Sequence, residues 1–374
     1  MEALILSCGT GGGHNSAALA IKEEMEQRGH RVTMMNPYSL GGHGTDRLVN
    51  QAYVRLVQKA PKIFGFVYQL GNLYRRLPVK SPVYYANAAM AVRMEKYLKQ
   101  HPCEVIIMPH LFPAELITYM KQKKMNVPKT IFVATDYTCI PFTEETNCDH
   151  YVVPAPDLVE EFASRGIPRH KIYPLGIPVS RKFYREEGVL QTSEAMILQR
   201  KRQENCKYIL VAGGSIGAGN VEKIVETLLR RYDGDEIVHI VVICGNNKRL
   251  YHRMRRRFGE HIILVGYTKK MALYIRTSSV FITKPGGLSS TEAAVAGIPI
   301  LHVTEIPGCE TTNRTYFEKH GMSISLTDPE QELVGCVQDI LDGNKIEWMQ
   351  KNQKKYCRKD AAKQICILAE SGKH

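Results

Sequence analysis

The chain has 374 residues, of which 44% are apolar and 23% are charged. This length favours two or three domains, and the composition excludes both a largely disordered chain and a small disulfide-stabilised scaffold. The 50 Lys and Arg residues outnumber the 37 Asp and Glu residues and give a formal net charge of +13. We therefore expect a polyanionic partner. The alternatives are nucleic acid, an anionic membrane and a phosphorylated ligand.

The ten cysteines are scattered, and no two of them form a C-x-x-C pair. This spacing argues against a zinc ribbon or a thioredoxin-like centre and favours a reduced, cytoplasmic environment. The N-terminus reads as a first strand rather than a signal peptide. No apolar stretch approaches the ~18–20 residues that span a bilayer, so we expect membrane contact to be peripheral, on the cytosolic face.

The first half of the chain alternates predicted strands with predicted helices. It opens with a strand at 3–7, a glycine loop at 9–13 and a helix at 14–28. Further strands are predicted at 31–35, 105–108, 130–134, 151–153 and 172–174. This alternation indicates a parallel sheet that is covered on both faces.

The second half repeats the same plan. A strand at 208–212 leads into a glycine loop at 213–219, and Asn220 is placed to cap the helix that follows. Strands are then predicted at 237–244, 262–265, 280–283, 300–303 and 323–326, and helices at 221–231, 248–258, 269–276, 290–296 and 312–320. The predicted fold is α/β, with two doubly wound Rossmann-like domains that face each other across a cleft.

The predicted domains have the following boundaries. Residues 1–180 form the N-terminal domain, 181–205 a polar linker, and 206–344 the C-terminal domain. The helical, basic segment 345–374 ends the chain and is expected to pack back on the N-terminal domain.

Both glycine loops follow a strand and open a helix, so their backbone N–H groups can approach an anion. The first loop is Gly9–Gly13, with Gly12 and Gly13 next to the helix, and the second contains Gly213, Gly214 and Gly217. The alternative is a tight turn without a ligand. A nicotinamide dinucleotide site is not favoured, because Asn36 stands where a ribose-binding acid is needed, and neither loop continues as a P-loop.

The segment 284–292 is the most informative one. Gly286 and Gly287 end a strand, Ser289 and Ser290 open a helix, and Glu292 follows in its first turn. The glycines would admit a diphosphate to the backbone amides, a serine would donate its hydroxyl, and the carboxylate would accept both hydroxyls of a ribose. The alternative is a capping box formed by Ser289 and Glu292, which needs no ligand.

Two further groups of polar residues flank the predicted second sheet. Glu310 and Asn313 follow a strand at the carboxyl edge, where they can bind sugar hydroxyls. Asp233-Gly234-Asp235 matches a metal-binding D-x-D pattern but falls at the opposite edge, and we interpret it as a solvated turn. We expect neither an obligatory metal nor another cofactor.

His14 ends the first glycine loop and begins a helix, where the helix dipole disfavours the imidazolium cation. A neutral imidazole at a ligand site is a usable general base. Asp136 follows the strand at 130–134 and is either the partner of this imidazole or the base itself. His110 follows the strand at 105–108 in a similar position. The alternative for His14 is a residue that merely opens a helix.

In combination these motifs resemble the monogalactosyldiacylglycerol synthases and the processive diacylglycerol glucosyltransferases, which are GT-B enzymes of glycosyltransferase family 28. The resemblance spans nearly the whole chain. Its motifs are Gly11-Gly12-Gly13-His14, Pro109-His110, Thr135-Asp136, Gly176-Ile177-Pro178, Gly213-Gly214-x-x-Gly217, Cys244-Gly245-x-Asn247, Gly266-Tyr267, Lys284 to Glu292, Pro307-Gly308-x-Glu310 and Asn313.

The resemblance implies an inverting transfer of glucose or galactose from a UDP-sugar to 1,2-diacylglycerol. The N-terminal half would then hold the acceptor, with His14 or Asp136 as the base, and the C-terminal half would hold the donor. Gly245 and Gly266 would line the uracil pocket near Asn247, Gly286–Ser289 would cradle the diphosphate, Glu292 would bind ribose, and Glu310 and Asn313 would contact the sugar.

The chain departs from this family at identifiable places. Tyr137–Phe142 replaces a stretch that often contains a His and a Trp, and Cys309 stands where Gln is usual. The alternatives to the leading hypothesis are transfer of N-acetylglucosamine to a polyprenyl-linked cell-wall precursor, a UDP-sugar epimerase, and a non-catalytic protein that binds anionic membrane. No RNP, KH or zinc pattern favours nucleic acid as a partner.

The segment from Arg47 to Met94 contains eight Lys or Arg residues and no Asp or Glu. Aromatic and apolar residues are interleaved with these charges, which is typical of a segment that lies on an anionic membrane surface. The candidate membrane residues are Phe64, Phe66, Arg75, Arg76 and Lys80. The alternative is a solvated basic face over an ordinary core helix.

Overall fold

A computed structural model describes residues 1–9, 12–41, 80–185, 206–214, 220–303 and 308–371, without the side chains of Pro82 and Val83. The chain divides into two compact units. The first unit combines Met1–Ser180 with Ile306–Thr312 and Arg358–His374, and the second combines Arg181–Glu305 with Asn313–Cys357. Among the described residues, no helix has the length and apolar character needed to cross a membrane.

The first unit is built on a parallel sheet of six strands in the order β2-β1-β3-β4-β5-β6. Its strands are β1 (Glu2–Leu6), β2 (Arg31–Met35), β3 (Val105–Met108), β4 (Lys129–Val133), β5 (His150–Val152) and β6 (Ile172–Tyr173). The central strands β1, β3 and β4 are almost entirely buried. Such continuous apolar runs are expected where helices cover both faces of a parallel sheet.

Six described helices belong to the first unit. They are α1 (Gly12–Gln27), α2 (Pro82–Ala88), α3 (Ala91–Gln100), α4 (Leu111–Gln122), α5 (Val159–Ser164) and the C-terminal α13 (Ala361–Glu370). Ile365 and Leu368 of α13 join Ala18 and Ile21 of α1 in one apolar cluster against the sheet. The last helix of the chain therefore completes the core of the unit in which the chain begins.

The second unit repeats this architecture with the strand order β12-β11-β10-β7-β8-β9. Its strands, all parallel, are β7 (Lys207–Ala212), β8 (Val238–Ile243), β9 (Ile263–Val265), β10 (Val280–Thr283), β11 (Ile300–His302) and β12 (Ile324–Ser325). The order reverses between β7 and β10, and the segments after these two strands hold the glycine loop and the segment 284–292. Ligands bind open α/β sheets at such a reversal, outside the carboxyl ends of the strands.

Seven described helices flank the second sheet. They are α6 (Val221–Tyr232), α7 (Lys248–Phe258), α8 (Met271–Thr277), α9 (Gly287–Ala296), α10 (Cys309–Lys319), α11 (Pro329–Leu341) and α12 (Ile346–Tyr356). Buried residues at helical spacing, such as Ile224 and Leu228 of α6 or Leu333 and Val337 of α11, pack into one apolar core. The predicted α/β architecture, with two doubly wound units, is confirmed.

Candidate functional site

His14 lies in the first turn of α1, directly after the carboxyl end of β1. Its Nδ1 is 2.8 Å from the carbonyl oxygen of Pro109 and 2.9 Å from Oγ1 of Thr135. Pro109 follows β3 and Thr135 follows β4, so three neighbouring strands converge on one imidazole. Gly12 and Gly13 begin α1 immediately before it.

The hydrogen bonds of His14 determine which ring nitrogen carries the proton. A carbonyl oxygen only accepts, so Nδ1 donates to Pro109 and Nε2 keeps its lone pair. Burial lowers the pKa of His14, and the Asp136 carboxylate and the bond to Pro109 oppose this shift. The imidazole is therefore neutral near pH ~7 and has a nitrogen that can accept a proton.

A small cavity of ≈ 10 Å³ adjoins His14, which is about the volume that one water molecule needs. Asp136 and Thr135 line it together with His14, so the structure brings the two candidate bases to one place. Its other lining residues are Pro109, His110, Leu111, Phe132, Val133, Ala134, Thr138, Ile140, Thr143 and Phe162.

His110 also borders this cavity, but its Nδ1 is already engaged. It is the N-cap of α4, and its Nδ1 accepts a hydrogen bond of 3.1 Å from the backbone N–H of Phe112. Its ring lies against that of His14, with centroids 4.4 Å apart. Burial and the neighbouring His14 hold the pKa of His110 well below its usual range. The His110 side chain is thus neutral and caps a helix.

In the second unit, Glu292 is a half-buried carboxylate in the second turn of α9. It makes no hydrogen bond or ion pair with the residues that the structure describes, and burial raises its pKa to about 8. The N-cap of α9 is Gly286, which has no side chain to cap with, and Ser289 Oγ donates to the carbonyl oxygen of Gly286 at 3.3 Å. The capping-box alternative is therefore wrong, because the N-cap is Gly286 and not Ser289.

Ser289 and Ser290 differ in their availability to a ligand. Ser290 is fully buried and its Oγ lies 2.9 Å from Nε2 of His302, whose Nδ1 lies 3.0 Å from Oγ of Ser323. Burial, together with the nearby charge of Arg314, lowers the pKa of His302 to about 3. The prediction that Ser290 binds the donor is thus wrong for its hydroxyl, which anchors α9 to the core, whereas Ser289 stays half-buried at the helix terminus.

The residues after β7 and β10 meet at this edge of the sheet. Gly213 and Gly214 follow β7, and Gly214 has a positive φ of 73°. A Cβ atom at Gly214 would lie 3.0 Å from Cε of Lys284, which follows β10. Lys284, to which the sequence analysis gave no role, therefore brings a cation beside the glycines and the N-terminus of α9. The only sequence signal for this role is that Lys284 begins the motif that runs to Glu292.

Other predicted donor residues follow β8, β9 and β11. Gly245 has a positive φ of 56° and Gly266 follows β9. Asn247 Oδ1 accepts a hydrogen bond from Leu250 N at 2.9 Å, so this oxygen caps α7 rather than standing ready for a ligand. Glu310 and Asn313 lie in the first turns of α10, and both are buried.

Several predicted residues fall outside the described part of the chain: Gly217, Phe64, Phe66, Arg75 and Arg76. Lys80 is described, and its Nζ donates to the carbonyl oxygen of Glu145 at 2.8 Å. The Lys80 ammonium group is half-buried and bonded within the first unit, so it is a weaker candidate for membrane contact than the sequence indicated.

The D-x-D pattern lies in a turn between α6 and β8, as predicted. Asp235 Oδ1 accepts hydrogen bonds from the backbone of Ile237 and Val238, both at 2.9 Å. Asp233 lies 2.7 Å from Nδ1 of His261. Across the described ranges, no group of three or more His, Cys, Asp or Glu side chains is arranged to hold a metal ion.

Two family comparisons cover most of the chain. Residues 14–179 match the family described as monogalactosyldiacylglycerol (MGDG) synthase, and residues 208–365 match the glycosyltransferase family 28 C-terminal domain. The α/β units have the GT-B fold, and the two matches identify the chain as a glycosyltransferase. A match to the MGDG synthase family in the first part of the chain is thus followed by a match to the family 28 C-terminal domain in the second part.

Curated relatives extend over almost the same length. A processive diacylglycerol beta-glucosyltransferase of Bacillus licheniformis is 26% identical over 94% of this chain and 90% of its own. The protein of the same name from Bacillus subtilis is 25% identical over 94% and 90%. The predicted resemblance is thereby confirmed.

Solved structures share the fold at low sequence identity. MurG of Acinetobacter baumannii is 14% identical, with a TM-score of 0.60 over 99% of both chains. Anabaena HepE in complex with UDP-glucose is 12% identical, with a TM-score of 0.58 over 99% of this chain and 100% of its own. A UDP-N-acetylglucosamine 2-epimerase from Neisseria meningitidis is 13% identical, with a TM-score of 0.64 over 99% of both chains.

Proposed function

We propose that this glycosyltransferase moves a hexose from a UDP-sugar to the free hydroxyl of 1,2-diacylglycerol, with inversion at the anomeric carbon. The observation that carries the proposal is His14, a neutral imidazole with an unprotonated Nε2, in a unit that matches the MGDG synthase family. The names of the curated relatives favour glucose as the sugar. A β-glucoside made from an α-linked UDP-glucose requires inversion.

The second sheet and its flanking helices supply features that suit a nucleotide diphosphate. The amide of Gly287 at the start of α9, together with the Lys284 ammonium group, would meet the negative charge that develops on the leaving UDP. The Glu292 carboxylate, which has no partner among the described residues, would accept hydrogen bonds from the ribose hydroxyls. Glu310 and Asn313 would contact the sugar, and Gly245 and Gly266 would border the base.

In the transfer, the acceptor oxygen forms a bond to the anomeric carbon while the bond from that carbon to the UDP oxygen breaks. The hydroxyl proton passes to Nε2 of His14, and UDP leaves with the bonding electron pair. Asp136 would stabilise the imidazolium that forms, since its charge already opposes the lowering of the His14 pKa by burial. We therefore assign the base to His14 and the supporting charge to Asp136.

The test is UDP release in the presence and absence of diacylglycerol, with UDP-glucose and UDP-galactose assayed separately. We expect UDP release to require added diacylglycerol and to yield a glycosyldiacylglycerol, identified by mass spectrometry. Use of a polyprenyl-linked precursor instead, epimerisation of UDP-N-acetylglucosamine, or membrane binding without any transfer would each contradict the proposal. These outcomes correspond to the three alternatives that the sequence leaves open.

A further inference from the structure

The turn Phe142–Glu145 borders the His14 cavity and contains two features that cost stability. Phe142 has a positive φ of 73°, which is uncommon for a bulky residue. Thr143, which lines the cavity, is only 1% exposed, and its buried Oγ1 has no hydrogen-bond partner among the described residues. Strained backbone clusters at functional sites, and each buried polar atom without a partner calls for an explanation, of which a function is one.

This turn is held firmly by residues outside it. The Glu145 carboxylate accepts hydrogen bonds from Ser81 N and Ser81 Oγ, both at 2.9 Å. Ser81 Oγ in turn accepts a bond of 3.1 Å from Tyr84 N as the N-cap of α2. Because these bonds fix the position of the turn, the unpaired hydroxyl does not result from a loosely packed loop.

Neighbouring threonine hydroxyls are all paired. Thr135 Oγ1 lies 2.9 Å from His14 Nδ1, and Thr138 Oγ1 donates to Glu161 at 2.7 Å. Thr118 Oγ1 donates to Ala114 O at 2.7 Å and accepts from Asn147 N at 2.8 Å. Of the three threonines that line the cavity in the described chain, Thr143 alone lacks a partner.

We propose that Thr143 is an acceptor-binding residue, whose hydroxyl donates a hydrogen bond to an oxygen of the lipid glycerol backbone while His14 takes the proton of the reacting hydroxyl. The proposal rests on the function proposed above and adds a specific contact to it. Thr143 and His14 line the same cavity.

The proposal predicts that Thr143→Val weakens the use of diacylglycerol without lowering the stability of the protein. Valine has nearly the same volume and removes an unpaired hydroxyl, so the melting temperature should stay the same or rise. Loss of the hydrogen bond to the acceptor should raise KM for diacylglycerol by about tenfold. KM for the UDP-sugar should not change, and Thr143→Ser, which keeps the hydroxyl, should restore the KM for diacylglycerol to nearly the wild-type value.

Thr118→Val is the matched control, because Thr118 is equally buried but both of its hydrogen bonds are internal. It should lower the melting temperature and leave KM for diacylglycerol unchanged. A Thr143→Val enzyme with wild-type KM for the acceptor, or one that loses stability as Thr118→Val does, would overturn the proposal. If the wild-type enzyme uses another alcohol, the proposed function fails, and the same three variants assayed on that alcohol still test Thr143.

Discussion

Pro109 offers His14 a carbonyl oxygen, and this one contact leaves Nε2 as the nitrogen that can take a proton. Replacing His14 with Ala should therefore reduce kcat by ~10²–10⁴-fold, which is the usual contribution of a general base. Because burial lowers the pKa of His14 below its ordinary value of 6.5, the acid limb of the wild-type rate profile should lie below that pH.

The affinity for UDP is the control for His14→Ala, since UDP is assigned to the second unit. Isothermal titration calorimetry should give the same UDP dissociation constant for the variant and the wild-type protein. Near-normal turnover by His14→Ala would remove this residue from the mechanism and leave Asp136 as the base.

Glu292 predicts a dependence of UDP affinity on pH. Its pKa is about 8 in the free protein, so the carboxyl group is mostly protonated near pH ~7 and ionises as the pH rises. Ribose hydroxyls donate to the ionised form, so UDP binding should release a proton. The ratio of wild-type to Glu292→Gln affinity should then increase about tenfold between pH ~7 and ~9.

In the alkaline range, where Glu292 is ionised, the Gln variant should bind UDP more weakly by roughly 1–3 kcal/mol, because a charge-assisted hydrogen bond is lost. Glu292→Gln has no titrating group at this position, so any pH dependence that it retains reports the ionisation of UDP or of other groups. An affinity ratio that does not change with pH would show that the carboxylate does not bind the ribose. The melting temperature of the free variant should not fall, since Glu292 has no capping role.

Single residues also show where sequence reasoning ends. The positions of His14, Asp136 and Glu292 at strand ends follow from the strand–loop–helix pattern. The pattern does not identify the hydrogen-bond partners of other residues. Ser290 contacts His302, and Asn247 caps a helix. Thr143 could not be found from the sequence, because its signal is a missing hydrogen bond.

At the element scale, strand positions were predictable because each buried strand is a short apolar run between polar loops. The predicted strands at 31–35, 105–108 and 280–283 coincide with β2, β3 and β10. The helix Pro329–Leu341 was not predicted, although the sequence contains signals for it. Asp328 caps this helix through Glu330 N, Pro329 stands at its start, and Leu333 and Val337 share a buried face.

The attachment of α13 to α1 gives a prediction about stability. Arg28 donates two hydrogen bonds to Glu370, and His30 Nε2 lies 2.7 Å from the same carboxylate. The hydrogen bond from Arg28 and, less strongly, that from His30 lower the pKa of Glu370 to about 2. Since the cluster is partly exposed and screened by solvent, Glu370→Gln should lower the free energy of unfolding by only about 1 kcal/mol.

The pH dependence of this effect has a definite sign. A carboxylate whose pKa is lowered on folding stabilises the protein above its ordinary pKa, here 4.5, and loses this contribution as the pH falls towards about 2. The free energy of unfolding, measured with urea, should therefore be lower for Glu370→Gln than for the wild type at neutral pH and equal for the two near pH ~2. Glu26→Gln, which breaks the exposed pair with Lys22, is the control and should cost less than ~0.5 kcal/mol. An equal effect of the two substitutions would contradict a special role for Glu370.

For the whole molecule, the repeated strand, glycine loop and helix were enough to predict two similar α/β units. The division of the helical segment at 345–370 was not predictable, because apolar helices of similar length pack on either core. In the structure, α12 belongs to the second unit and α13 to the first. What distinguishes α13 is its set of partners, Ala18, Ile21 and Met25 of α1, which lie more than three hundred residues earlier.

The excess of positive charge belongs to the molecule as a whole, and the segment from Arg47 to Met94 carries no acidic residue to offset its eight basic ones. The acceptor proposed above is a membrane lipid, which an enzyme reaches at the bilayer surface. Each basic side chain near an anionic surface contributes about 1 kcal/mol, screened over a Debye length. We therefore predict binding to vesicles that contain phosphatidylglycerol, with strong weakening in about 0.5 M salt.

Replacing Arg75 and Arg76 with Ser should weaken vesicle binding roughly thirtyfold, the equivalent of about 2 kcal/mol. Lys80 is left unchanged in this test, because its ammonium group is held by Glu145. Arg255 and Arg256 are exposed on α7 of the second unit, and their replacement with Ser changes the net charge equally. Vesicle co-sedimentation that shows the same loss for both pairs would indicate an effect of net charge alone. Equal binding to neutral and anionic vesicles would exclude the electrostatic mechanism, whereas a loss confined to Arg75 and Arg76, with UDP affinity intact, would locate the membrane contact in the first unit.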